Sequence, residues 1–179
     1  MFYITNANEI FFNDKLPDFK KNFYDYNFWF FDRSIFGDTE KLESLLKKLL
    51  ELKQGGIRLI YDKKFYTDEY YFSENKLFNQ INDFYKKSLN DINMVYSFPK
   101  LLISDKHNIY VYETYEDDFG CVAIENSLLN NEIIMELNSD LYPLDDIRKM
   151  SEDKKSFSYH DAVSIITNYD KYIKDLKNE

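Results

Sequence analysis

Leu101-Leu102-Ile103-Ser104-Asp105-Lys106-His107-Asn108-Ile109-Tyr110-Val111-Tyr112 is the stretch whose reading decides the fold. Two apolar runs flank a polar four-residue connection, the pattern of a β-hairpin. A hairpin makes its two strands antiparallel, which separates this chain from a doubly wound parallel architecture. Working outward, Ile57-Arg58-Leu59-Ile60-Tyr61 has the apolar character of an inner strand, and Cys121–Glu125 is a further strand after a turn at Gly120. Phe2–Ile4, Glu9–Phe12 and Asn27–Phe31 are short aromatic strands.

Three segments carry a helical period instead. Leu42, Leu45, Leu46, Leu49 and Leu50 form one apolar stripe after the capping pair Asp38-Thr39, with Gly55-Gly56 as the stop. Ser73 opens a second helix with Leu77, Ile81, Phe84, Tyr85 and Leu89 on one face. A third starts at Ser158, with Asp161 completing a partial capping box, and buries Val163, Ile166, Tyr169 and Ile173. Residues 127–150 suit either a pair of helices or more sheet. The expected architecture is α+β: a single globular domain over residues 1–179, with a mixed, mostly antiparallel sheet packed with about three main helices.

Composition narrows the function. The 179 residues include 23 Lys and Arg against 32 Asp and Glu, a net charge of −9, the wrong sign for a chain whose affinity must come from phosphates. One cysteine, Cys121, leaves no disulfide framework and suits a reducing compartment. The longest uninterrupted apolar run is Phe28-Trp29-Phe30-Phe31, far short of a membrane span, and the start at Met1 has no signal-peptide pattern. A cytoplasmic location is expected, without membrane or nucleic-acid partners. The 16 Phe and 16 Tyr accompany many Lys and Asn and only three Ala, the signature of an AT-rich genome. The position of the aromatics therefore says more than their number.

Charge is unevenly placed. Residues 1–110 hold 16 basic and 16 acidic side chains, whereas residues 111–179 hold 7 and 16, so the last third carries the whole net charge. It concentrates in Glu113, Glu116, Asp117 and Asp118, then in Asp145, Asp146, Glu152 and Asp153, interleaved with Tyr110, Tyr112, Tyr115, Phe119 and Tyr142. Strand alternation sends Ile109 and Val111 to one face and Tyr110 and Tyr112 to the other. If only the aliphatic face is core, the tyrosines stand outward beside an acidic loop, where phenols anchor a protein partner and carboxylates steer a basic one. If helices cover both faces, the tyrosines are core.

Catalytic templates find little. Cys121, His107 and His160 sketch a nucleophile and bases, but Cys121 opens a buried strand. Pro17-Asp18 with Asp62-Lys63-Lys64 echoes the carboxylate and lysine set of Mg²⁺-dependent PD-(D/E)xK nucleases, although acid-x-Lys triplets abound in a Lys-rich chain. No phosphate-binding glycine loop, zinc-protease motif or calcium loop is present. No catalytic residue, metal ligand or cofactor is expected.

Leu16-Pro17-Asp18-Phe19-Lys20-Lys21-Asn22-Phe23-Tyr24-Asp25-Tyr26-Asn27 resembles the L-P-x-x-aromatic-Lys segment of the SUKH superfamily, many of whose members are bacterial toxin-immunity proteins. It departs by one residue in the Pro-to-aromatic spacing and by Phe28-Trp29 in place of a Gly pair. The wider profile is similar to that of acidic immunity proteins that neutralise basic nuclease toxins. The resemblance implies an inhibitor of a basic partner, a cognate toxin domain, and the charge layout places the expected contact on Tyr110, Tyr112, Glu113, Tyr115, Glu116, Asp117, Asp118, Asp145 and Asp146. The alternatives are the Mg²⁺-dependent nuclease, using Asp18, Asp62 and Lys64, and a decoy whose carboxylates imitate DNA phosphates.

Overall fold

A strand that is apolar at every position cannot leave either face to water, and Phe28–Phe31 and Ile109–Tyr112 are both of that kind. The computed structural model, which describes residues 25–32, 35–61, 70–90, 100–113 and 119–176, places helices on both sides of one sheet. Its strands are β1 (Tyr26–Asp32), β2 (Ile57–Tyr61), β3 (Tyr70–Phe72), β4 (Lys100–Ser104), β5 (Ile109–Glu113), β6 (Phe119–Glu125) and β7 (Tyr142–Pro143). They lie in the order β3-β2-β4-β5-β6-β1-β7, and every neighbouring pair is antiparallel. The predicted hairpin is β4–β5, closed by the His107 N–H donating to the Ser104 carbonyl at 2.9 Å. His107 takes a φ of 57°, the left-handed conformation the turn requires. The strands expected at Phe2–Ile4 and Glu9–Phe12 lie outside the described residues.

One face carries α1 (Thr39–Glu51), α2 (Leu77–Asn90) and α3 (Asn131–Asp140). Asp38 caps α1, its Oδ1 accepting from the N–H groups of Glu40 and Lys41, each at 3.1 Å. The five predicted leucines are all buried, each worth about 1.5–3 kcal/mol against exposure. They meet Trp29, Phe31, Ile57, Leu59, Leu102, Val111 and Val122 from the sheet. The glycine pair does not itself end α1. Lys53 turns left-handed after Glu51, and Gly56 instead lends its N–H to Asp105 Oδ2 at 2.8 Å. On α2 the stripe runs Leu77, Ile81, Phe84 and Ser88, so Leu89, expected inside, is 83% exposed. Leu89 stands about 100° around the helix from Ser88, past the edge of the buried face.

The other face carries α4 (Leu144–Glu152) and α5 (Tyr159–Leu176). Ile147, Ala162, Ile165 and Ile166 close over Phe28, Phe30, Leu101, Ile103, Phe119 and Cys121. Tyr110 and Tyr112 lie in this second core, each 1% exposed, which corrects the expectation that they stand outward. The physical reason is the second helical layer: alternation divided β5 correctly, but both of its faces are interior.

Residues 127–150 resolve into α3 and α4, joined by the two-residue strand β7 at the sheet edge. The chain thus crosses from one face to the other at Leu141–Pro143. Gly120, expected in a turn, is inside β6 opposite Phe31. The Phe31 ring fills the space that a side chain at position 120 would need.

Candidate functional site

Of the nine residues expected to meet a partner, five are described, and three of these are buried in the fold. The Tyr110 hydroxyl donates to the His107 carbonyl at 2.7 Å. Tyr26 reaches the same carbonyl at 3.4 Å, with the two ring centroids 6.1 Å apart. Burial pushes the Tyr110 phenol up, and burial together with the nearby charges of Glu125 and Asp25 raises Tyr26 to about 12. Glu113 closes β5 at 1% exposure. A side chain so enclosed offers no area to a partner, so Tyr110, Tyr112 and Glu113 leave the candidate surface. Tyr115, Glu116, Asp117 and Asp118 lie outside the described residues, as do Pro17, Asp18, Asp62 and Lys64 of the nuclease-like set. Cys121 is fully buried, and burial drives its thiol up, the reverse of an activated nucleophile.

Asp145 and Asp146 occupy the first turn of α4, where the helix dipole favours carboxylates. Asp146 accepts from the Lys149 ammonium at 2.7 Å, and that bond raises the Lys149 pKa. Asp170 likewise holds Arg148 at 3.1 Å. Asp145 and Glu152 are exposed and make no ion pair among the described residues.

The acidic residues that sequence reasoning missed are on α3. Glu132, Glu136 and Asp140 recur every fourth position on its outer side, and the helix has no basic residue. Met135 lies among them, 72% exposed. Glu132 and Glu136 make no ion pair among the described residues. Asp140 accepts from Lys48 at 2.6 Å, and the Lys48 ammonium, followed by the Ser139 hydroxyl, holds its carboxyl below the usual range. The signal was present in the sequence: Ile133, Ile134, Leu137 and Leu141 alternate with those acids at a helical period.

Beside α3 a cleft of about 290 Å³ opens between α1 and the turn into β7. Phe31, Ile35, Leu45, Leu141 and Tyr142 make its apolar walls. Glu40, Lys41, Ser44, Lys48 and Asp140 make its polar border. Tyr142, one of the interleaved aromatics, is partly open, whereas Tyr110, Tyr112 and Phe119 are buried. Among the described residues no helix is long and apolar enough to cross a membrane. The chain matches no protein-family profile, no curated protein and no solved structure.

Proposed function

We propose that the protein is a binding protein, an immunity-type inhibitor that neutralises a basic, nuclease-type toxin by covering its active site. One observation carries this reading: Glu132 and Glu136, in the acidic last third, are exposed on α3 without an ion pair among the described residues, with exposed Met135 beside them. A nuclease must present Lys and Arg to phosphate, and carboxylates without partners of their own complement that groove. The proposed surface thus moves from the β5 tyrosines to the outer side of α3. Inhibition in this account is steric and electrostatic, with no turnover. Met135 supplies the adaptable apolar contact that interfaces favour.

The test is a calorimetric titration with the product of the gene adjacent to this protein's own, repeated across a salt series. A complex that weakens as salt rises, and that Glu132→Lys with Glu136→Lys disrupts, is the expected result. No complex at low salt, or an affinity indifferent to salt, overturns the reading. Equal binding to unrelated basic DNA-binding proteins would assign the decoy role instead.

A further inference from the structure

We propose that α3 is a strap that opens as a unit while the sheet stays folded, with Lys48 of α1 as its latch. Of the ten residues of α3 only Leu137 is fully buried, with Ile133 and Ile134 half-buried against the same core. By contrast, α1 buries five leucines. Two clefts lie along the seam between these helices. One is the cleft of about 290 Å³ described above. The other, of about 60 Å³, lies between Glu51 and Leu52 at the end of α1 and Ile133, Glu136 and Leu137 of α3. Lys48 borders both. Its ammonium donates to the Glu136 carbonyl at 3.2 Å and to the Asp140 carboxylate at 2.6 Å, so it bridges the seam where packing is incomplete.

The helix is built to leave without unravelling its neighbours. Asn130 and Leu141 bound it with extended backbone, so a melted stretch ends there, short of β6 and β7. Its tie to the sheet through the Trp29 indole ends on Asn138, an exposed side chain, where water can replace either partner. Glu51 and Glu136 border the same small cleft, and the Lys48 charge offsets them; without it two carboxylates repel across the seam. A helix of ten residues is marginal in water on its own, so α3 melts once it lifts, and its amides then exchange with solvent. Opening joins the two clefts into one groove along α1 and brings the Trp29 indole to water. The inference stands apart from the partner reading, since no partner enters it or its test.

Native-state hydrogen exchange on the full chain, read residue by residue by NMR across low urea, tests this. The amides from Met135 to Leu141 should share one opening constant, at least about tenfold larger than that of β5 and β6 and with a shallower dependence on urea. Lys48→Met keeps the stem, removes the ammonium and should speed the α3 amides about three- to tenfold. Ile165→Val, in the core on the opposite face, should speed the β5 and β6 amides about three- to tenfold and leave those of α3 within about twofold. Ser44 and Asp140 both border the larger cleft, so Ser44→Cys with Asp140→Cys can staple the seam. Oxidation of that variant should slow α3 exchange at least about tenfold, and reduction should reverse the effect. Exchange of α3 one amide at a time from its ends, or in step with the sheet in Ile165→Val, overturns the proposal. So does a Lys48→Met chain whose α3 amides keep the wild-type rate, or an oxidised variant whose α3 amides keep the reduced form's rate.

Discussion

The indole N–H of Trp29, on β1, donates to the side-chain oxygen of Asn138, on α3, at 2.8 Å. Trp29 is buried and is the only tryptophan, so the bond that satisfies it also ties the acidic helix to the sheet. Asn138→Ala strands the indole N–H and should lower unfolding free energy by about 1–2 kcal/mol. Asn138→Asp keeps an acceptor there and should lose less. Urea unfolding followed by tryptophan emission measures both.

Gly120 is required by a neighbour and not by its own backbone angles. With the Phe31 ring in the Cβ space, Gly120→Ala overpacks the β1–β6 ladder and should cost about 1–3 kcal/mol. Adding Phe31→Leu should return part of that loss. Non-additivity of at least about 0.5 kcal/mol in the double-mutant cycle is the expected result.

Alkali should act through the phenols. Tyr26 is raised to about 12 and Tyr110 is pushed up by burial, so the folded protein holds these protons more tightly than the unfolded chain does. Their contribution to stability is therefore complete below pH 10, the ordinary phenol value, and is lost as pH rises through about 12. Near-ultraviolet phenolate absorbance should show a late-titrating class in the native protein that joins the ordinary class on unfolding. Tyr110→Phe, which removes the hydroxyl bonded to His107, should shrink that late class by one.

Core and partner surface should separate cleanly on mutation. Tyr112→Ala empties the second core and should cost about 3–5 kcal/mol. Glu132→Lys with Glu136→Lys, on exposed positions, should change stability by no more than about 0.5 kcal/mol per site. Binding of the proposed basic partner should behave in the opposite way: Tyr112→Phe leaves the association rate unchanged, while the double reversal lowers it about tenfold at low salt. Denaturant titration and stopped-flow association measure the two effects.

Much of this architecture was readable residue by residue. The Leu42–Leu50 stripe and its Asp38 cap became α1, and Ile57–Tyr61 became an inner strand. The Leu101–Tyr112 hairpin set the antiparallel sheet. What periodicity could not settle was whether β5 had one interior face or two, because a phenol is equally at home at an interface and in a core with its hydroxyl bonded. That choice depends on where α4 and α5 pack, a long-range fact that no window along β5 contains. Among the acids, Glu113 was misjudged for the same reason, since β5 is interior on both faces, whereas the Asp146–Lys149 pair lies within one turn of α4 and was open to local reading. The acidic face of α3 emerges only when residues 127–150 are read as helix, and that stretch suits helix and sheet alike.

Strand β1 sits between β6 and β7, so the first of the described strands is completed by the last two of them. Phe31 pairs with Gly120 and Phe30 with Tyr142. During synthesis the run Phe28-Trp29-Phe30-Phe31 emerges without its ladder and must wait for about 90 further residues, roughly 5–20 seconds at ordinary elongation rates. Through that interval four adjacent aromatic side chains offer a nascent-chain chaperone its best foothold. A run enclosed on both faces in the native state is thus a vulnerable one at the ribosome.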